Sequence, residues 1–362
     1  MHLIHYNNQC SNLVVLSGLE HLIFEIMKRL LLIIFAFSVN VCFSQQIFNT
    51  TIDDNRDLKP YSVREHNDSY FVLTTIYDSS NTDTTTSCLY KFNRNGVLTD
   101  SLQYRNQNNN TLISCIEIIN DTITLIGYSD SEADTLYNIH VLRVSENMNI
   151  KETYTFPFYC KHVFNLYTAH NSDGLIIGGS HIPASGGYMD LYFISINYQW
   201  EMTELKVYDF YAGDDLYCLT SCNDSIYASV NTKQENNERY FIWRLDSSLS
   251  YTILNNTLNR TNSASICNDY NNNLLISGIS SISNEVKSED IVTTFRMTTN
   301  GEISDSISYG KEGGRDKVAP FGSINASENR IFCLSMQCDG YGIMHWFSSF
   351  PVNACLSIMD YD

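Results

Sequence analysis

Few stretches of this chain offer side chains that could do chemistry. The richest is Gln337–Pro351, QCDGYGIMHWFSSFP, where Tyr341, His345, Trp346 and Phe347 stand among Gly340 and Gly342. Aromatic faces with a few polar groups suit stacking on a sugar or a peptide. A sparser set is His181 with Tyr188 in SHIPASGGYMD, 180–190. Tyr341, His345, Trp346, His181 and Tyr188 are therefore the expected ligand-binding residues. The plainer alternative is that such rings fold back over their own sheet, as apolar loop residues generally do.

Catalytic chemistry has opportunity here but no motif. Asp and Glu total 40, so pairs fit for acid–base work abound, yet no surroundings single one out. S-x-D-x-G-x-x-W, G-x-S-x-G, H-E-x-x-H and a phosphate-cradling glycine loop are all absent. So is D-x-[DN]-x-[DN]-G, and Asn171-Ser-Asp-Gly174 reads as a hairpin turn rather than a calcium loop. No catalytic residue, cofactor or metal is expected, and the chain is expected not to be an enzyme. Nine cysteines follow residue 44, with no C-x-x-C among them. An odd number makes no full disulfide framework, so small buried hydrophobes are the reading. Cys222 and Cys267 each precede Asn-Asp at equivalent places, and a Cys333–Cys355 or Cys338–Cys355 bridge fits the end of the chain.

Lys and Arg total 22, which leaves a net charge of −18. Such a surface repels phosphate backbones, so nucleic acid is excluded as a partner. A glycan or protein ligand remains, on a chain expected to be monomeric. The apolar fraction of 43% is enough for a large core.

The elements that must carry these residues repeat. FRMTTNGEISDSISYG (295–310) reads as two short strands around Asn300-Gly301. Its pattern returns at 89–104, 141–156, 193–210 and 242–258, and the apolar residue before each turn is Phe92, Val144, Ile196, Leu245, Met297 and finally Met359. The spacings are 52, 52, 49, 52 and 62. A fixed long period is the mark of a repeat architecture. Each hairpin follows an apolar strand such as LIIGGS (175–180) or LLISGIS (274–280), entered through a polar turn such as Asn120-Asp121 or Asn223-Asp224. Asn and Asp tolerate the positive φ that tight hairpin turns need. These turns also account for the sequons at Asn67, Asn120 and Asn223.

The expected architecture is all-β, a six-bladed propeller of 45–362. The sixth repeat stops before its fourth strand, and QIFNTTI (46–52) is a spare strand that would close it. Seven or more blades in a truncated chain is the alternative. The long variable connections, second-to-third and fourth-to-first, share one end of such an array, and function is expected there. Ahead of the repeats, Lys28-Arg29, the apolar run 30–41 and Ser44 make a signal-peptide layout over 27–44. Residues 1–26 then read as an extension from a misassigned start.

LLISGIS followed by DIVTTFRMTTNGEISDSISYG (290–310) resembles the repeats of secreted bacterial β-propellers. Many of these are type IX secretion cargo with a C-terminal sorting domain, which has no counterpart in this sequence. The resemblance implies a secreted or cell-surface protein and names no catalytic residue. The leading expectation is a non-enzymatic propeller binding a glycan or protein through its variable-loop face. The alternatives are a carbohydrate-active hydrolase or lyase and a structural spacer of a larger surface protein.

Overall fold

The computed structural model describes residues 57–360 apart from 78–84, 106–110, 131–135, 211–212, 235–236, 256–260, 270, 285–286, 310–314, 319–323, 327–329 and 339–351. The proposed closing strand 46–52, the signal segment and the loop carrying Tyr341, His345 and Trp346 all lie outside the described residues. The chain divides into two compact units. In the smaller, 1–53 with 93–97, only the Asn93–Val97 turn is described. The larger, 54–92 with 98–362, carries the sheets.

Every described element is a strand. The first antiparallel meander is β1 (Asp57–His66), β2 (Ser69–Tyr77), β3 (Thr85–Asn93) and β4 (Leu98–Tyr104). The second is β5 (Thr111–Ile119), β6 (Thr122–Asp130), β7 (Leu136–Val144) and β8 (Ile150–Val163). The third is β9 (Tyr167–His170), β10 (Gly174–Pro183), β11 (Asp190–Asn197) and β12 (Met202–Tyr208). The fourth is β13 (Asp215–Cys222), β14 (Ser225–Gln234), β15 (Asn237–Leu245) and β16 (Tyr251–Asn255). The fifth is β17 (Thr261–Asn268), β18 (Leu274–Asn284), β19 (Lys287–Met297) and β20 (Ile303–Tyr309). β21 (Arg315–Val318) leads to β22 (Ile324–Ala326), β23 (Arg330–Cys338) and β24 (Val352–Asp360), which pairs only with β23 among the described residues. Successive first strands are neighbours: β1 with β5, β5 with β9, β9 with β13, β13 with β17 and β17 with β22.

From the first sheet to the fifth, each pair of neighbours encloses its own core. Leu175, Ile177 and Tyr192 of the third sheet pack with Ile126, Val141 and Phe158 of the second. The alternate residues Ile176, Leu191 and Phe193 pack with Leu216, Phe241 and Trp243 of the fourth. A strand with sheets on both faces must be apolar at every position, which is why β10 reads GLIIGG. The outer strands β4 and β12 are largely exposed, as their polar alternation predicts.

The third-to-fourth turns are built alike. Asn93, Ser145, Asn197, Asp246 and Thr298 each start one, donating a backbone N–H to the carbonyl four residues on. The residue three further along, Gly96, Met148, Trp200, Leu249 or Gly301, has positive φ, and its N–H returns to the starting carbonyl. Asn300-Gly301 thus belongs to a longer turn with a bulge, in which Gly301 alone is left-handed. The starting side chain caps the turn: Asp246 Oδ1 accepts from Ser248 N at 2.9 Å and Ser250 N at 2.8 Å. Leu249 and Met148 tolerate the left-handed backbone because they are buried plugs, 0% and 4% exposed. Trp200 instead stacks on Tyr154 with centroids 5.3 Å apart.

The first-to-second turns expected at Asn67-Asp68, Asn120-Asp121 and Asn223-Asp224 have positive φ at both residues. The turn expected within CNDYNNNL, 267–274, is of another kind. Asp269 opens a longer turn instead, its Oδ1 accepting from Asn271 N and Asn273 N, both at 2.8 Å. The fourth-to-first connection after β8 is no loop either. β8 runs on from the second sheet and pairs with β10 through Cys160, His162 and Val163, joining the second and third sheets. Cys355 faces Ser335 in the β23–β24 register, offset from both Cys333 and Cys338. The Cys222 thiol bonds to the Asn272 carbonyl of the next sheet at 3.3 Å. No helix among the described residues is long and apolar enough to cross a membrane.

Candidate functional site

The chemistry gathers at the end of the third sheet where β10 finishes and β11 begins. In the β10–β11 register, His181 lies opposite Asp190. The β12–β13 connection folds back over this edge: Asp214 N–H donates to Met189 O at 2.8 Å. Asp214 Oδ2 in turn accepts Phe210 N–H at 2.9 Å, which fixes its carboxylate. Asp209, exposed, comes from the same connection. One oxygen from each of Asp190, Asp209 and Asp214 lies within 4.8 Å of the others.

Three carboxylates so close cannot all ionise freely. Asp190 is 6% exposed, and burial, with Asp209 and Asp214 adding repulsion, pushes its carboxyl up to about 6. It therefore holds a proton into the mildly acidic range beside an open Asp209. His181, 2% exposed, packs edge-on against Phe158 at 5.0 Å and Tyr192 at 5.7 Å. Burial pulls it down to about 4, against a bond to the Asp190 backbone, so it stands neutral at pH 7.

A polar brace holds this edge to the fourth sheet. Ser180 Oγ donates to Asp215 Oδ1 at 2.8 Å and accepts Leu216 N–H at 2.9 Å. Asn165 Nδ2 reaches Leu216 O at 3.0 Å, while its Oδ1 accepts Ser180 N–H at 2.6 Å. Burial raises Asp215, and these hydrogen bonds from Ser180 and Asn165 oppose the shift. Gly179 makes the brace sterically feasible: a Cβ there would meet Asn165 O at 2.1 Å and Tyr192 Oη at 2.6 Å.

Of the residues expected from sequence, His181 and Tyr188 come to this edge in different roles. His181 is buried beneath it, and Tyr188, 68% exposed, stands two residues before Asp190. Asp190, Asp209 and Asp214 were not singled out by sequence, because each is one acid among 40. The nearest signal is their place: Asp190 ends the variable stretch 180–190, and Asp209 and Asp214 lie in the connection after β12, both among the connections expected to carry function. Their all-oxygen donor set is of the kind hard divalent cations take, but three carboxylates fall short of the six to eight oxygens a calcium ion gathers.

No protein-family model matches the chain, and no curated protein matches it. Solved structures do. An α-L-arabinanase of Penicillium chrysogenum, complexed with arabinobiose, matches with a TM-score of 0.50 and 12% identity over 84% of this chain and 93% of that one. The β-propeller domain of the Trilobed protease from Pyrococcus furiosus matches with 0.49 and 11% over 84% and 82%. The polysaccharide lyase Uly1 gives 0.42 and 10% over 87% and 92%. The described elements are all strands, and the structural neighbours of the chain are of the β-propeller type. The expectation that it is not an enzyme is corrected: the solved structures of similar fold are mostly enzymes. The likeness itself shows the fold, and any activity has to be argued from the Asp190 cluster.

Proposed function

We propose that the protein is a carbohydrate-active enzyme that hydrolyses glycosidic bonds at Asp190 and Asp209. The observation that carries this is the carboxyl of Asp190, raised to about 6 within 4.8 Å of two further carboxylates. Glycoside hydrolysis asks for one carboxyl that keeps its proton and one that is ionised, across the scissile bond. Asp190 gives its proton to the leaving oxygen. Asp209, open to solvent, attacks the anomeric carbon, and water activated by Asp190 then releases the sugar. The separation favours this covalent route, since a water held between the two carboxyls needs roughly 6.5–9.5 Å. Asp214 holds the proton on Asp190 by its charge and is itself held by Phe210 N–H. Tyr188 offers an exposed ring beside the cleavage point. The arabinobiose bound by the arabinanase is in keeping with a glycan substrate.

Reducing ends released from a panel of neutral polysaccharides and aryl glycosides test the reading. Asp190→Asn and Asp209→Asn are each expected to lower turnover about 100-fold or more. No release from any substrate, or full activity in Asp190→Asn, overturns it. Unsaturated products would show elimination instead, the lyase alternative.

The same reading takes the sheets as six blades, with 46–52 supplying the outer strand beside β24. Deleting 45–52 should then lower the melting temperature, and an unchanged melt counts against closure. The Lys28-Arg29 and 30–41 layout supports action outside the cytoplasm, which fractionation of the source cells would test.

A further inference from the structure

Beside the carboxylates, the loop end of the second sheet carries a run of aromatic rings that the proposed chemistry does not use. Tyr128 of β6 and Tyr137 of β7 lie 6.0 Å apart by centroid, and Tyr137 and His162 of β8 lie 6.3 Å apart, edge-on. His162 and Phe164 are 4.6 Å apart, again edge-on. Tyr137 Oη and His162 Nδ1 share a hydrogen bond of 3.2 Å. Phe164 is 47% exposed although its backbone is pinned: its N–H donates to Ser180 O at 3.0 Å, and Val163 before it is fully buried. A large apolar ring that cannot withdraw is kept in water on a rigid frame.

The backbone of the strip is close to that of the carboxylate edge. Val163, between His162 and Phe164, pairs with His181, and His181 pairs with Asp190 on its other side. The β8 backbone between His162 and Phe164 is thus two strand spacings, about 10 Å, from that of Asp190. A few linked sugar units cover that distance.

We infer that Tyr137, His162 and Phe164 form a binding strip for a neutral glycan chain, feeding the bond to be cleaved to Asp190. The substrate class rests on the hydrolase reading, but the binding does not. Sugar rings present C–H faces that pack on aromatic rings, and their hydroxyls can bond to Tyr137 Oη and the His162 ring. Charge selects the neutral polymer: the strip's rings carry no carboxylate, the cluster beside them carries three, and the chain has a net charge of −18. A polyuronate would be repelled along its whole length.

Affinity electrophoresis tests this, in gels cast with linear arabinan, galactan, xylan or mixed-linkage glucan, against polygalacturonate. The wild-type protein is expected to be retarded by at least one neutral polymer and not by polygalacturonate. The double variant His162→Ala, Phe164→Ala should raise the dissociation constant about tenfold, as two lost ring contacts imply. Phe164→Tyr, which keeps the ring, should restore most of the retardation and shows that folding is not the cause. Retardation that survives the double variant, or that is strongest with polygalacturonate, overturns the strip. So does the absence of retardation in every neutral gel. Asp190→Asn should still be retarded, and a wild-type protein that is retarded by a polymer yet cleaves none sinks the hydrolase reading and leaves the strip standing.

Discussion

Leu249 gives the sharpest test of how the repeated turns are held. It has φ of 57° and is 0% exposed, packed with Phe193, Trp243 and Leu245. Two terms oppose each other at this residue. The left-handed backbone costs an L-residue about 1–2 kcal/mol. Full burial of a leucine returns about 1.5–3 kcal/mol. Leu249→Ala should remove the burial and keep the strain, for a loss of about 2–4 kcal/mol. Leu249→Gly removes both. Leu245 supplies the control, since it is 5% exposed in the same cluster but has ordinary strand geometry. At Leu245, Gly should fall below Ala by about 1 kcal/mol, as in any strand interior. At Leu249 that gap should close or reverse, so the two positions differ by about 1–2 kcal/mol in the Ala-to-Gly step. Urea midpoints of the four variants at equal slope measure it. An identical Ala-to-Gly step at both positions would refute the claim that a buried side chain sustains strain at Leu249.

Asp190→Asn should also reveal a cost of the proposed site. A carboxyl whose folded value, about 6, lies above its unfolded one contributes fully below pH 4, and that contribution is lost as pH rises through 6. The variant should thus be more stable than wild type at pH 7–8 by about 1–2 kcal/mol, allowing for screening near exposed Asp209, and equal at pH 4 by denaturant titration. His181 has the opposite sign. Buried and held down to about 4, it stabilises above pH 6.5, and this is lost as pH falls toward 4. His181→Phe should flatten that acid limb in the same titration. Gly179→Ala should cost about 2–3 kcal/mol by overpacking Asn165 and Tyr192, read as a drop in melting temperature. Glu117→Ala removes bonds from Thr168 at 2.6 Å and Arg64 at 3.3 Å between the first strands, and should cost about 1–3 kcal/mol by the same melt.

The repeat was legible because its signal is local. Phe92, Val144, Ile196, Leu245 and Met297, picked by their place before a turn, are all buried. The Asn-Asp turns form with two left-handed residues at 67–68, 120–121 and 223–224, whereas the turn within 267–274 is longer, because the Asp269 side chain caps it in another geometry. The long β8 was legible in part. Phe156, Phe158 and Cys160 are buried while Pro157, Tyr159 and Lys161 are exposed, a period of two that continues past the expected strand end. Pro157 hid it, although a proline is tolerated where its missing N–H faces outward. The carboxylates were not legible. Asp190 is 19 residues from Asp209 and 24 from Asp214, and the β11–β12 register, which pairs Leu191 with Tyr208, and the Met189–Asp214 bond bring them together. Charge neighbours across a fold leave no spacing rule in the chain.

β8 bears on how the molecule comes apart. In a repeat array each unit touches only its neighbours, and opening can begin at any boundary between them. The pairing of Cys160, His162 and Val163 with β10 removes one such boundary, because the second and third sheets share a strand. These two sheets should exchange their amide hydrogens as one cooperative block, slower than the first sheet. Asp190 and the Tyr137–Phe164 strip both sit on that block. A new chain end introduced at 158–164 would therefore disable both, whereas one in the turn at Asn223-Asp224 leaves the block whole.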